Sequence, residues 1–174
     1  MQIFTMNFMQ NEGMVNMDKF SIYCDGSTRG NGTANAVGAW AYVILDENGK
    51  EITATAQRVE GTTNQRMELA AAINALRLVD GLRKPFETVV VYTDSAYLHN
   101  CYAQHWYDNW QSNGWVNSKK QPVANRDLWE QLIPYFDAAE INFVKVKGHK
   151  GVSYHEQWND YVDRLAQDAS RRDV

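Results

Sequence analysis

The sequence predicts an α/β fold: a five-stranded mixed sheet, an antiparallel meander plus two parallel strands, flanked by helices. Three observations carry this. Two apolar stretches meet at Asn48-Gly49, the strongest short-range hairpin signal. The run ETVVVYTDS, 87–95, is apolar and β-branched without polar alternation, as in a strand covered on both faces. Helical periodicity separates that run from the strands on either side, so its connections are crossovers and its neighbours parallel.

The elements follow in order. FSIYCDGS, 20–27, sets Phe20, Ile22 and Cys24 against Ser21 and Tyr23 and predicts a strand closed by Asp25. The Gly- and Asn-rich stretch 29–38 is a loop. Two strands around Asn48-Gly49 complete the meander. Thr62, with Gln65 three residues on, predicts a capping box for a helix whose buried face is Leu69, Ile73 and Leu76. After the fourth strand a helix is predicted over about 95–105, then an aromatic and polar segment, 106–124. Asn125 is the expected cap of the next helix, which Pro134 should kink or shorten. INFVKVKGH, 141–149, is a fifth strand, and Trp158, Val162, Leu165 and Ala169 mark one face of a last helix, about 155–171.

The chain has 174 residues and a net charge of −4, so its overall charge does not advertise a polyanionic partner; local patches decide that question. No internal repeat or linker divides it, and the expectation is one domain over 19–172 preceded by a flexible extension, 1–18, with Met17 a possible alternative start. No apolar run is long enough to span a membrane, and the N-terminus lacks the basic and apolar regions of a secretory signal. Cys24 and Cys101 offer neither a disulfide framework nor metal-ligand spacing, which fits a reducing, cytoplasmic setting. A monomer without an obligate protein partner is expected.

Three acids share one topological habit. Asp25 follows the first strand, Asp94 the fourth, and Glu68 opens the helix between strands three and four. Strands one and four, adjacent and parallel, would bring Asp25 and Asp94 to neighbouring carboxyl ends, where open α/β sheets place ligands. Each acid alone is ordinary turn or helix-start chemistry. Converging, they would repel one another and raise each other's pKa, a conflict that a hard divalent cation such as Mg²⁺ resolves.

The words YCDGSTRGN, TTNQRMELAAAINAL, VYTDSAYL, NGWVNSKKQPVANRDLWEQL, VKVKGH and NDYVDRLA together resemble type I ribonuclease H over about residues 20–170. The resemblance implies the ribonuclease H-like fold and a two-metal endoribonuclease that cuts the RNA strand of RNA–DNA hybrids, leaving 5′-phosphate and 3′-hydroxyl ends. It implies two Mg²⁺ ions, with Mn²⁺ a possible substitute, held by Asp25, Glu68, Asp94 and a fourth acid on the C-terminal helix. The pattern Asn-x-x-x-Asp-x-Leu-Ala selects Asp163, with Asp160 one turn earlier as the competitor. It gives His149 a proton-shuttling or product-releasing role, although the segment from His149 to Asp163 is longer than in many relatives and includes a decoy, His155.

For the substrate, the resemblance points to Asn31, Thr63, Asn64 and Gln65 as readers of the RNA 2′-hydroxyl and backbone. It also points to a protrusion carrying Trp106, Trp110, Trp115, Lys119 and Lys120 that grips the DNA strand. The tryptophans could equally form the segment's own small core. The stretch Gln111-Ser112-Asn113 and Asp108 make this protrusion less basic than in strongly basic relatives, so weaker and less salt-sensitive binding is expected. Lys145, Lys147 and Lys150 add a second basic strip. Ala96 replaces a polar residue that some relatives use to read the hybrid. The alternatives are an integrase- or resolvase-like DNA nuclease of the same fold and, with all four acids present a weaker one, a non-catalytic hybrid-binding module.

Overall fold

The computed structural model describes residues 18–148 and 152–171. Its elements are β1 (Phe20–Arg29), β2 (Val37–Leu45), β3 (Glu51–Glu60), α1 (Asn64–Leu82), β4 (Val89–Thr93), α2 (Ala96–Ala103), α3 (Trp106–Asn113), α4 (Arg126–Phe136), β5 (Ile141–Lys145) and α5 (Tyr154–Arg171). The sheet order is β3-β2-β1-β4-β5. β1 and β2, and β2 and β3, pair antiparallel. β1 and β4, and β4 and β5, pair parallel. This is the mixed sheet that the sequence predicts. The β2–β3 hairpin turns at Gly49, at φ 75, with the Asp46 carboxylate accepting from the Asn48 and Lys50 amides.

The sheet is covered on both faces. Phe20, Ile22, Cys24, Val89, Val91 and Phe143 join the core under α1, α2 and α4. Tyr23, Ala41, Val43, Leu45, Val90 and Tyr92 join a second core under α5, with Trp158, Val162 and Ala166. β1 therefore differs from the half-buried strand its alternation suggests: Tyr23 and Ser21 are buried as well. Burying a large side chain on each face stabilises by roughly 1.5–3 kcal/mol apiece, which anchors the central strands on which the acids stand.

Four local expectations change. First, β1 does not end at Asp25; it continues beside β2 to Arg29, while its pairing with β4 stops at Tyr23. Second, α1 is capped by Thr63, whose hydroxyl accepts from the Arg66 amide at 3.3 Å, not by Thr62 with Gln65. Thr62 is buried, and the third helical position is Arg66, which has no acid or amide to reach back. Third, the segment after α2 contains the helix α3, whose Tyr107 is buried and whose Trp106 and Trp110 pack half-buried on the core. Fourth, Asn125 stands at the start of α4 but makes no capping bond there; its side chain meets Tyr97 and Arg66 instead. α4 ends at Phe136, two residues after Pro134, whose ring nitrogen has no hydrogen to offer the Glu130 carbonyl one turn back.

Candidate active site

Extending the β1–β4 register Tyr23↔Tyr92 by two residues sets Asp25 opposite Asp94. Asp94 directly follows β4 at the point where Ser95 opens α2. Both carboxylates thus stand where the parallel ladder parts, Asp25 within β1 and Asp94 just past the carboxyl end of β4. Asp25 is 6% exposed and accepts from the Gly26 amide at 2.8 Å. Burial, then the charges of Asp94 and Asp163, push its carboxyl well above the usual carboxylate range. Asp163 also makes a side-chain contact with it.

α1 delivers Glu68 to the same end because it sits on a glycine. A methyl carbon on Gly26 would fall 2.4 Å from the Glu68 amide nitrogen and 2.5 Å from the Met67 carbonyl carbon, so only glycine lets helix and strand approach this closely. Glu68 Oε1 accepts from the Asn64 amide at 2.8 Å, and Oε2 from the Ser95 hydroxyl at 2.5 Å. Ser95 Oγ also accepts from the Leu98 amide as the cap of α2, so its proton is committed to Glu68. Burial is the largest cause raising the Glu68 pKa, with Asp94 adding to it and the two hydrogen bonds opposing.

α5 contributes a row at helical spacing, Asn159, Asp163 and Gln167. The Asn159 amide donates to Asp94 Oδ2 at 3.2 Å, and the Gln167 amide donates to Asp163 Oδ2 at 2.8 Å. Asp160 points elsewhere and accepts from Arg164 at 2.7 Å, so of the two candidates it is Asp163 that lies against Asp25. Each of the four acids is held by neutral donors. Among the described residues, no three acids, histidines or cysteines are gathered tightly enough to hold one ion as they stand.

The donor set suits a hard cation. It offers carboxylate oxygens under mutual repulsion and one orphaned acceptor, the buried Asn159 Oδ1, which a metal-bound water could satisfy. His149 and Lys150 lie outside the described residues. Gly148, just before them, packs on Asp94: a methyl carbon there would come 3.1 Å from Oδ2. His155 is not at this site. It lies over Tyr92, its Nδ1 2.7 Å from the Tyr23 hydroxyl on the α5 side of the sheet.

The expected substrate residues fall into two groups. Asn31, in the exposed β1–β2 loop between Gly30 and Gly32, accepts the Asn64 amide N–H at 3.2 Å; both glycines, and not Asn31, take positive φ. Thr63 is the α1 cap, and Gln65 is exposed beside it. Of these four, Asn64 touches Glu68, Asn31 reaches it through Asn64, and Thr63 and Gln65 belong to the same start of α1. In the second group, Trp115 is buried, its ring tilted against that of Trp110 at 5.8 Å between centroids and covered by the Arg126 guanidinium at 4.9 Å. Trp110 also packs on Trp106 and on the fully buried Trp129. Lys119 and Lys120 are exposed in a turn held by Asn117. Lys145 and Lys147 are exposed as well. Arg66 ties α1 to α4 through a bidentate pair with Asp127 at 2.9 and 2.7 Å.

Sequence reasoning did not single out Gly26, Ser95, Gln167 or Gly148. The i, i+4, i+8 spacing of Asn159, Asp163 and Gln167 was the one signal that could have found part of this shell.

Comparison with known proteins matches this geometry to a family. Residues 17–171 match the family model described as RNase H. A ribonuclease H of Syntrophomonas wolfei is 44% identical over 154 residues, 88% of this chain and 97% of that protein. One of Clostridium botulinum is 41% identical over 154 residues, 88% of this chain and 96% of that protein. The solved PFV RNase H domain superposes with a TM-score of 0.70 at 25% identity, covering 87% of this chain and 94% of that one. A foamy viral protease-reverse transcriptase in complex with RNA/DNA hybrid has a TM-score of 0.74 at 19% identity, covering 98% of this chain and 22% of that one, a likeness of fold. With a matching family model over nearly the whole sequence and relatives of this identity, the chain belongs to the RNase H family and is a ribonuclease H hydrolase.

Proposed function

We propose that the chain is a divalent-metal-dependent endoribonuclease that hydrolyses the RNA strand of RNA–DNA hybrids, leaving 5′-phosphate and 3′-hydroxyl ends. The observation that carries this reading is the buried Asp25, pressed by Asp94 and Asp163 at the parting of β1 and β4, with Glu68 bonded to Ser95, the residue after Asp94. Asp25, Glu68, Asp94 and Asp163 would hold two Mg²⁺ ions, with Mn²⁺ as substitute. When bound, such ions supply an activated water and charge stabilisation for the leaving 3′ oxygen.

The chain's own residues do the rest. Asn64, Ser95, Asn159 and Gln167 orient the carboxylates of Glu68, Asp94 and Asp163 through neutral donors, which add no positive charge to compete with the cations. Asn31, Thr63, Asn64 and Gln65, gathered at the start of α1, would read the RNA 2′-hydroxyl and backbone. Lys119 and Lys120, on a base built by Trp106, Trp110 and Trp115, would meet the DNA strand's phosphates. His149 would move protons at product release. The enzyme works as a single-domain monomer over 19–172 in a reducing, cytoplasmic setting. Among the described residues no helix is long and apolar enough to cross a membrane.

The test is cleavage of matched, labelled RNA–DNA, DNA–DNA and RNA–RNA duplexes with Mg²⁺. Cutting confined to the RNA of the hybrid supports the reading. Cutting of DNA strands assigns the fold to a DNA nuclease, and binding without cutting assigns it to a hybrid-binding module.

A further inference from the structure

Glu68 is the acid most completely occupied by other groups. Asn64 holds one oxygen and Ser95 the other. The carboxylate that presses on Glu68 is Asp94, whereas those that press on Asp25 are Asp94 and Asp163. Among the described residues the acids are not yet gathered around one point. Each Glu68 oxygen keeps a second lone pair, but turning the carboxylate toward a cation shared with Asp25 would strain the two hydrogen bonds that now orient it.

The two holders are not equivalent. Ser95 is 4% exposed, and its oxygen is fixed by the Leu98 amide at 3.1 Å and its backbone amide by Thr93 Oγ1 at 3.1 Å. Asn64 is half-buried at the mouth of the site and is itself held from outside: its backbone N–H points to Asn31 Oδ1, in the exposed loop, at 3.2 Å. Asn64 is the first residue of α1, so that N–H has no partner within the helix and can exchange the Asn31 oxygen for an incoming one. A strand that engages Asn31 or the Asn64 amide thus disturbs the outer end of a chain of bonds whose inner end is Glu68.

We propose that Asn64 is a substrate-released latch: its side-chain amide holds Glu68 off the cation site until an RNA strand engages the Asn31–Asn64 corner. This rests on the reading of Glu68 as a metal-holding acid. It makes Asn64 a positioning residue that links recognition of the RNA strand to completion of the site. A cation is then held fully only where a substrate is present, which protects the site from idle occupancy.

The sign of the effect separates a latch from a structural helix pair. If Asn64 merely braces Glu68 for the metal, removing it weakens cation binding; if it is a latch, removing it strengthens binding. The experiment is calorimetric titration of Mn²⁺ into substrate-free protein, comparing wild type, Asn64→Ala, Asn64→Ser, Glu68→Gln and the Asn64→Ala/Glu68→Gln pair. Thermal melts check folding, and Asn64→Ser carries the test should Asn64→Ala fail to fold. Both Asn64 variants are expected to bind Mn²⁺ roughly 3- to 10-fold more tightly than wild type, the size of one net hydrogen bond. The gain disappears in the double variant. At saturating hybrid the Mg²⁺ concentration for half-maximal cleavage is the same in wild type and Asn64→Ala, because the latch is already open, while the KM for hybrid rises. Unchanged or weaker Mn²⁺ binding in the Asn64 variants, with Glu68→Gln still shifting the Mg²⁺ dependence of cleavage, overturns the latch and leaves Glu68 as a ligand. A Glu68→Gln protein with unaltered Mg²⁺ dependence overturns the ligand reading and the latch together.

Discussion

Gly26 and Glu68 are in backbone contact, with 2.4 Å between the glycine's missing methyl position and the Glu68 amide nitrogen. One glycine on β1 therefore sets the height of α1 above the sheet, and with it the position of an acid. Gly26→Ala must push the helix away from the strand. The cost expected is about 2–3 kcal/mol, the upper range for overpacking a tight core contact. Thermal unfolding and cleavage rates check this; a fully active, equally stable alanine variant would show that the contact does not position Glu68.

The crowded Asp25 has a stability consequence with a definite sign. The folded Asp25 carboxyl keeps its proton to a higher pH than an unfolded one, whose ordinary value is 3.8. The stability this gives is full below that value and is lost as pH rises through the raised folded one. Without metal, the burial and neighbouring charges that raise this pKa make an ionised Asp25 a liability. Asp25→Asn should raise the Tm of EDTA-treated protein by at least roughly 2–4 °C, the shift that about 1 kcal/mol produces in a chain of this size. Mg²⁺ should raise the Tm of wild type and not of the variant. A variant that melts lower than wild type in EDTA would contradict the crowding of Asp25.

His155 carries the opposite dependence. Burial lowers its pKa from the ordinary 6.5, and its Nδ1 faces the Tyr23 hydroxyl, whose own pKa burial pushes well up so that it stays a donor. A base with a lowered folded pKa contributes stability above 6.5 that is lost as pH falls through the folded value. Tm should drop more steeply below pH 6.5 in wild type than in His155→Gln, which keeps an acceptor for Tyr23 and does not titrate. Parallel curves would remove His155 from the acid response.

The fold was legible wherever one face or one turn dominated a segment. Asn48-Gly49 gave the hairpin, and the run at β4 gave the strand buried on both sides. α3 was not legible, because Asp108, Asn109, Ser112 and Asn113 surround its aromatic residues and dilute the apolar stripe. Its helix is organised by Tyr107 and Trp110 packing on the core, which is tertiary information. Asn125 looked like a cap, yet its left-handed backbone turns the side chain to Tyr97 and Arg66. At the site, the acids were legible from topology and resemblance. Their holders were not, since Ser95 and Asn159 acquire meaning only once α2 and α5 are placed beside Glu68 and Asp94.

The protrusion separates support from contact. Trp115 is buried, whereas Lys119 and Lys120 are exposed. Lys119→Ala and Lys120→Ala should each weaken hybrid binding and lower the slope of log affinity against log salt by about 1 for every phosphate the lysine had neutralised. Trp115→Ala should cost about 3–5 kcal/mol of stability, as for large aromatic residues in cores. Filter binding across a salt series, with thermal melts, checks both. Lysine variants with an unchanged salt slope would move the DNA contact elsewhere.

The acids at the parting of β1 and β4 hold, on this proposal, the cations that cleave hybrid RNA. The most direct test is Asp94→Asn, assayed for both binding and Mg²⁺-dependent cleavage of an end-labelled RNA–DNA hybrid. Hybrid binding is expected to survive while cleavage falls to background. Cleavage by the variant at anything near the wild-type rate would contradict the metal-holding role of these acids.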